Sequence, residues 1–173
     1  GAEVGEESYL ALLIMASTGL RISETCAIKL GDVDAGRGEI KVFGKGAKER
    51  IVIVTNALAL STLRNRIATK IDGDGLDGPL IRNRRGGRLT PQSFRLHLHE
   101  LAKSVGIKRR VTPHMLRHSA ATLLIEAGID IRIVQRLLGH ASISTTELYT
   151  HVTDNALRQA LERADVIGHL LKY

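Results

Sequence analysis

His114 and Arg117 stand three residues apart in Thr112-Pro-His-Met-Leu-Arg117, so on a helix they share one face. Thr112-Pro113 is a helix-start signal, with a hydroxyl to cap and a proline for the first turn. In that turn the free backbone N–H groups and the positive end of the dipole favour an anion. A titratable imidazole beside a permanent cation at such a place suits a phosphate group. Taken alone the pair is ordinary, a helix-terminal histidine and a surface arginine. Its weight comes from joint occurrence with Arg21, Lys45, His140 and Tyr149.

Other chemistries fit these residues poorly. His114 and His118 have the i, i+4 spacing of a zinc helix, but Met115 occupies the place of the metalloprotease glutamate and no third ligand is evident. Asp72, Asp74 and Asp77 resemble the start of a calcium loop, yet the fifth position, which needs an oxygen ligand, is Leu76, and the twelfth, which needs Glu, is Asn83. Gly44-Lys45 is followed by Gly46 where a nucleotide-binding P-loop requires Ser or Thr. The expectation is a site with no metal and no cofactor.

The chain has 173 residues, 43% apolar and 25% charged, which suits one folded domain and excludes wholesale disorder. A single cysteine, Cys26, allows no internal disulfide and points to a reducing, cytoplasmic setting. The strongly apolar stretch from Leu10 to Ala16 is far shorter than the roughly 20 residues of a membrane span. An acidic start argues against a secretory signal, and the absence of an initiator Met is expected of a fragment or processed chain.

The net charge of +7 is unevenly spread. Between Arg82 and Arg117 there are ten Lys and Arg and one acid, Glu100, so the rest of the chain is slightly negative. Such a basic stretch is the footprint of a polyanion-binding face as readily as of a solvated one. Arg outnumbers Lys 17 to 8, which favours phosphate because the guanidinium fork holds two oxygens at once. With only five Phe and Tyr and no Trp, base-stacking platforms for single strands are disfavoured, leaving duplex DNA or structured RNA. Arg82, Arg84, Arg85, Arg88, Arg95, Lys108, Arg109 and Arg110 are the candidate nucleic-acid contacts.

The elements that must position these residues are also readable. Helices are expected over Glu7–Ser17, from an N-cap at Ser23 to Leu30, over Asn56–Ile71, after Thr90-Pro91, from Thr112-Pro113 to Ala127, and from Asp130 to Leu138. Two more are expected over Ser142–Thr150 and Asp154–Leu171. Glu39–Phe43 alternates polar and apolar as a half-buried strand does, Arg50–Val54 reads as a second strand in a hairpin with glycines at its tip, and 72–79 reads as a loop. The fold class is mainly α with a small antiparallel sheet.

Four segments occur in order: Thr18-Gly-Leu-Arg-Ile-Ser-Glu24, Phe43-Gly-Lys-Gly-Ala-Lys-Glu-Arg50, Thr112-Pro-His-Met-Leu-Arg-His-Ser119 and Leu137-Leu-Gly-His-Ala-Ser-Ile-Ser-Thr-Thr-Glu-Leu-Tyr149. Together they resemble the catalytic domain of tyrosine site-specific recombinases, closest in style to Xer recombinases and phage integrases, over about residues 7–170. The resemblance implies that Tyr149 is the nucleophile. Arg21 and Arg117 clamp the scissile phosphate, Lys45 protonates the leaving 5′ oxygen, His114 acts as general acid/base, and His140 donates to a phosphate oxygen. Glu24 takes a supporting role.

The implied activity is metal-free cleavage and religation of duplex DNA through a 3′-phosphotyrosyl intermediate, by a monomer that forms a homo-tetramer on DNA and has no membrane association. Relatives usually carry an N-terminal helical domain that completes a clamp around DNA, and residues 1–173 are expected to be the catalytic domain without it. The tail from 152 to 173 is expected to pack either on a neighbouring subunit or back on its own core. Two other readings are a type IB topoisomerase-like relaxation of supercoils and a DNA-binding module without activity.

Overall fold

In the computed structural model, residues 2–44, 49–69, 75–139 and 154–170 are described. Helix α1 (Ala2–Thr18) is the hub. Leu10, Ala11, Leu13, Ile14, Met15 and Ala16 are all buried, so its second half is apolar on nearly every side. A helix of that kind must be enclosed. Around it pack α2 (Ile22–Ala27), α3 (Ala57–Ala68), α4 (Pro91–Ser104) and α5 (Pro113–Glu126). Each fully buried Leu, Ile or Phe contributes about 1.5–3 kcal/mol against the chain entropy that opposes folding.

Three of these helices start where their caps dictate. The Asn56 side chain accepts from the Leu58 and Ala59 N–H groups, the Thr90 hydroxyl from Ser93 N–H and the Thr112 hydroxyl from Met115 N–H. Helix α6 (Ile131–Leu138) is capped by Asp130 and closed by Gly139, whose φ of 69° needs a residue without a side chain. It packs on α5 through Val134, Leu137 and Leu138, which form a second core cluster with Ala120 and Leu124.

The sheet has three antiparallel strands in the order β1 (Val33–Asp34), β2 (Glu39–Phe43), β3 (Glu49–Ile53). The β2–β3 register pairs Ile40 with Val52 and Val42 with Arg50. Ile40, Val42 and Val52 point inward and are buried, while Lys41, Phe43 and Ile51 face outward. The chain closes with α7 (Asp154–Ala164) and α8 (Val166–Leu170). Leu161, Ala164 and Val166 join the α5–α6 cluster of the same chain, and Arg158 donates to Arg37 O at 2.7 Å and to Glu39 Oε1 at 3.2 Å.

Several boundaries differ from the sequence expectation. Arg21, not Ser23, precedes the first turn of α2, because the Glu24 carboxylate reaches back to accept from Arg21 N–H at 2.9 Å. That helix ends at Ala27, and Leu30–Asp32 form a separate 3-10 turn beside a bridge between Lys29 and Pro79. The two-residue β1 is an addition. The tail helix is interrupted at Asp165, which has φ of 31° and whose carboxylate accepts from Gly168 N–H at 3.2 Å. The expected helix over Ser142–Thr150 lies outside the described residues, as do Lys45, His140 and Tyr149.

Candidate active site

Arg21 leaves α1 through the Thr18-Gly19 turn, and Arg117 comes from the second turn of α5. A groove of about 1150 Å³ between α2, α4 and the start of α5 brings them together with His114. Arg95, His99 and Arg110 line the same groove, and among the described residues none of its lining side chains is acidic. His114 is exposed in the first turn of α5, with the helix dipole behind it.

Arg117 is buried, 8% exposed, at the floor of this groove. Its Nη1 donates to Gly19 O at 2.9 Å and its Nη2 to Leu138 O at 2.7 Å. Gly19 has φ of 67°, which favours glycine, and a Cβ there would force the Leu138 side chain to move. Burial, followed by the charges of Arg21 and Arg50 and opposed by Glu24, pulls the Arg117 pKa down to about 10. The guanidinium remains charged at neutral pH but is poorly solvated, which makes an anion in the groove favourable.

Behind Arg117 is an ion pair that the sequence reading half missed. Glu24 is buried and accepts from Arg50 Nη1 and Nη2, one bond to each oxygen at 3.0 Å. Arg21 Nη1 also lies 3.5 Å from Glu24 Oε1. Arg50 Nε donates to Leu137 O at 3.0 Å. Two guanidiniums thus occupy consecutive carbonyls in the last turn of α6, where the helix leaves acceptors unfilled and its dipole favours cations. In the sequence Arg50 stands only within a motif, and because Ile51 to Val54 are all apolar, no alternation marks it as inward-facing; the structure's burial pattern does.

Residues 3–156 match the sequence profile of the phage integrase family. The chain belongs to that family. Tyrosine recombinase XerA of Pyrococcus furiosus is 41% identical over 167 residues, covering 94% of this chain and 56% of the relative. Tyrosine recombinase XerC of Halalkalibacterium halodurans is 44% identical over 148 residues, covering 82% and 49%. The chain therefore spans about half the length of the curated relatives it matches. Among solved structures, XerA recombinase superposes with a TM-score of 0.71 at 36% identity, over 91% of this chain and 58% of that one. XerH bound to its difH substrate before cleavage gives 0.68 at 32% identity, over 92% and 47%. The fold is that of tyrosine recombinase catalytic domains.

Within this phage integrase fold the expected basic residues do not share one surface. Arg95 and Arg110 line the groove, whereas the Arg88 Nη1 turns to Ala27 O at 2.8 Å and braces the end of α2. Arg82 is part-buried, with its backbone N–H held by Glu7 Oε2 at 2.9 Å. Arg84, Arg85, Lys108 and Arg109 are exposed and do not line the groove. Gln92, Leu96 and His99, which no charge count selects, do line it.

The Glu24 pair has a consequence for acid stability. Burial pushes the carboxyl pKa up, but the Arg50 hydrogen bonds, the Arg21 N–H and both arginine charges outweigh it and hold the group below its ordinary value. A carboxyl depressed on folding contributes stability that is present above its unfolded pKa of about 4.3 and lost as pH falls through the folded value. Denaturant midpoints measured from pH 6 down to pH 3 should therefore fall more steeply for the wild type than for Glu24→Gln. Parallel profiles would show that the pair contributes nothing to acid lability.

Proposed function

We propose that this chain is the catalytic domain of a site-specific DNA recombinase that cuts and rejoins duplex DNA through a tyrosyl ester. The observation that supports this reading best is Arg117, anchored by two backbone carbonyls at the floor of a groove shared with Arg21 and His114, whose lining carries no acid among the described residues. Two arginines on the non-bridging oxygens supply the charge stabilisation that phosphoryl transfer needs without a metal ion. Tyr149 Oη forms the new bond to phosphorus as the bond to the 5′ oxygen breaks. The phenolic proton passes to His114, Lys45 protonates the departing 5′ oxygen, and His140 donates to a phosphate oxygen. A phenol of pKa about 10 and an amine of about 10.4 both need cationic neighbours to work near neutral pH.

The ester retains the energy of the phosphodiester, so a 5′ hydroxyl from another strand can reverse the step without ATP. Exchange between two duplexes cuts four strands, and one Tyr149 for each makes a homo-tetramer on DNA. On α4, Gln92, Arg95, Leu96 and His99 have the spacing of one helix face and line the groove. Amide, guanidinium and apolar side chains of this kind suit base edges in a major groove. The XerH complexes with difH before and after cleavage offer a parallel for a duplex substrate.

Covalent trapping tests the reading. The chain is incubated at low salt with nicked duplexes from which the cleaved fragment diffuses away, with and without excess EDTA, and the DNA-linked peptide is mapped. The expected product carries DNA on Tyr149 in equal yield in both arms. An adduct lost in EDTA and restored by magnesium contradicts the metal-free scheme.

A further inference from the structure

Arg50 occupies an inward position of β3 where its neighbour in phase, Val52, is fully buried. It does not line the groove, yet it is only 15% exposed and spends three of its five N–H donors on protein. The Glu24 carboxylate takes two of them, and the same carboxylate holds the backbone N–H of Arg21. Leu137 O takes the third, directly beside the Leu138 O that anchors Arg117. The guanidinium also presses on Gly139, where a Cβ would stand 2.8 Å from Arg50 Cζ. Gly139 immediately precedes His140, and β3 begins four residues after Lys45.

We propose that Arg50 is a positioning residue for strand cleavage, the brace that sets the segments carrying Arg21 and Arg117 in register with each other and with the end of α6. The proposal rests on the recombinase reading above. Stability alone is a poor reason for a charged pair here, because an apolar pair of similar volume often holds a core as well or better. What an apolar side chain cannot do is fix three backbone segments by direction. Lysine fails for the same reason: it keeps the charge near Arg117 but has no planar fork with which to hold both Glu24 oxygens and Leu137 O. Misplacement of the order of 1 Å is enough to cost about 100-fold in rate.

The test measures three quantities for wild type, Arg50→Lys, Arg50→Met, Glu24→Gln and the Arg50→Lys/Glu24→Gln double variant: single-turnover adduct formation at saturating nicked DNA, Kd for that DNA, and Tm. Both Arg50 variants should cleave about 100-fold more slowly while Kd stays within about three-fold, because the groove cations remain. The double variant should be no slower than the worse single variant, since both changes remove one unit. A folded Arg50→Met or Arg50→Lys that cleaves at the wild-type rate overturns the proposal. So does a rate loss matched by an equal loss of affinity, or a loss of fold in both variants, which would make Arg50 a folding residue only. Absence of an adduct with the wild-type chain overturns the recombinase reading itself, and this proposal with it.

Discussion

Tyr149→Phe removes the covalent protein–DNA product, by about 10⁴-fold or more, and leaves affinity for the same duplex within about three-fold of wild type. The ring stays and only the hydroxyl goes, so the change is confined to the one atom proposed to form the ester. Affinity should persist because the groups proposed to bind phosphate are others: Arg117, Arg21, Arg95 and Arg110, all lining the groove. The chain has three tyrosines, Tyr9, Tyr149 and Tyr173, so peptide mapping distinguishes the nucleophile directly. An adduct of wild-type yield in Tyr149→Phe would remove Tyr149 from that role. A loss of adduct accompanied by a comparable loss of affinity would instead make the hydroxyl a DNA-binding group.

The site was legible where chemistry follows from local spacing and obscure where it depends on distant partners. Thr112-Pro113 announced the start of α5, and the i, i+3 spacing put His114 and Arg117 on one face of it, which is where the structure has them. Alternation announced β2, and a β-branched run after the glycines announced β3. With Ile51 to Val54 all apolar, that run carries no phase to turn Arg50 inward, and nothing local could say that its partners would be Glu24, 26 residues back, and Leu137, 87 residues on. The N-cap of α2 was misplaced for a related reason. Ser23 has the better capping chemistry, but a buried Glu24 that already holds Arg50 also captures the Arg21 N–H, and Ser23 is left inside the helix.

Charge counted along the chain is likewise not charge on a face. Arg88 is exposed but spends a donor on the Ala27 carbonyl and does not line the groove, while Arg95 and Arg110, far apart in sequence, both line it. Two features had no signal at all. A two-residue strand is too short for alternation to show, and Asp165 adopts a φ of 31° with no glycine to mark the break.

Arg117→Lys should slow cleavage about 1000-fold, the size of effect seen when a preorganised donor to a developing oxyanion is removed. Arg117 uses one proton on each terminal nitrogen to hold Gly19 O and Leu138 O, which leaves three N–H groups for the two non-bridging oxygens of a phosphodiester. A lysine ammonium has three protons in all. If two replace the carbonyl contacts, one remains for the phosphate, and the bidentate hold is gone. The carbonyl anchors explain why the arginine can sit ready before DNA arrives: its orientation is set by α6 and the Thr18-Gly19 turn, so no reorganisation is needed as charge builds on the phosphate. Its desolvation, which already pulls its pKa down to about 10, is relieved when the anion enters.

Two measurements separate this role from folding. First, DNA should raise the Tm of wild type more than that of Arg117→Lys, because only the wild type gains a full pair of charge-assisted bonds on binding. Second, a substrate whose scissile phosphate is replaced by an uncharged methylphosphonate should narrow the rate gap between wild type and Arg117→Ala, since less negative charge awaits neutralisation. An Arg117→Lys variant that cleaves within about ten-fold of wild type would show that the fork is dispensable. The two carbonyls would then be the only groups that require it.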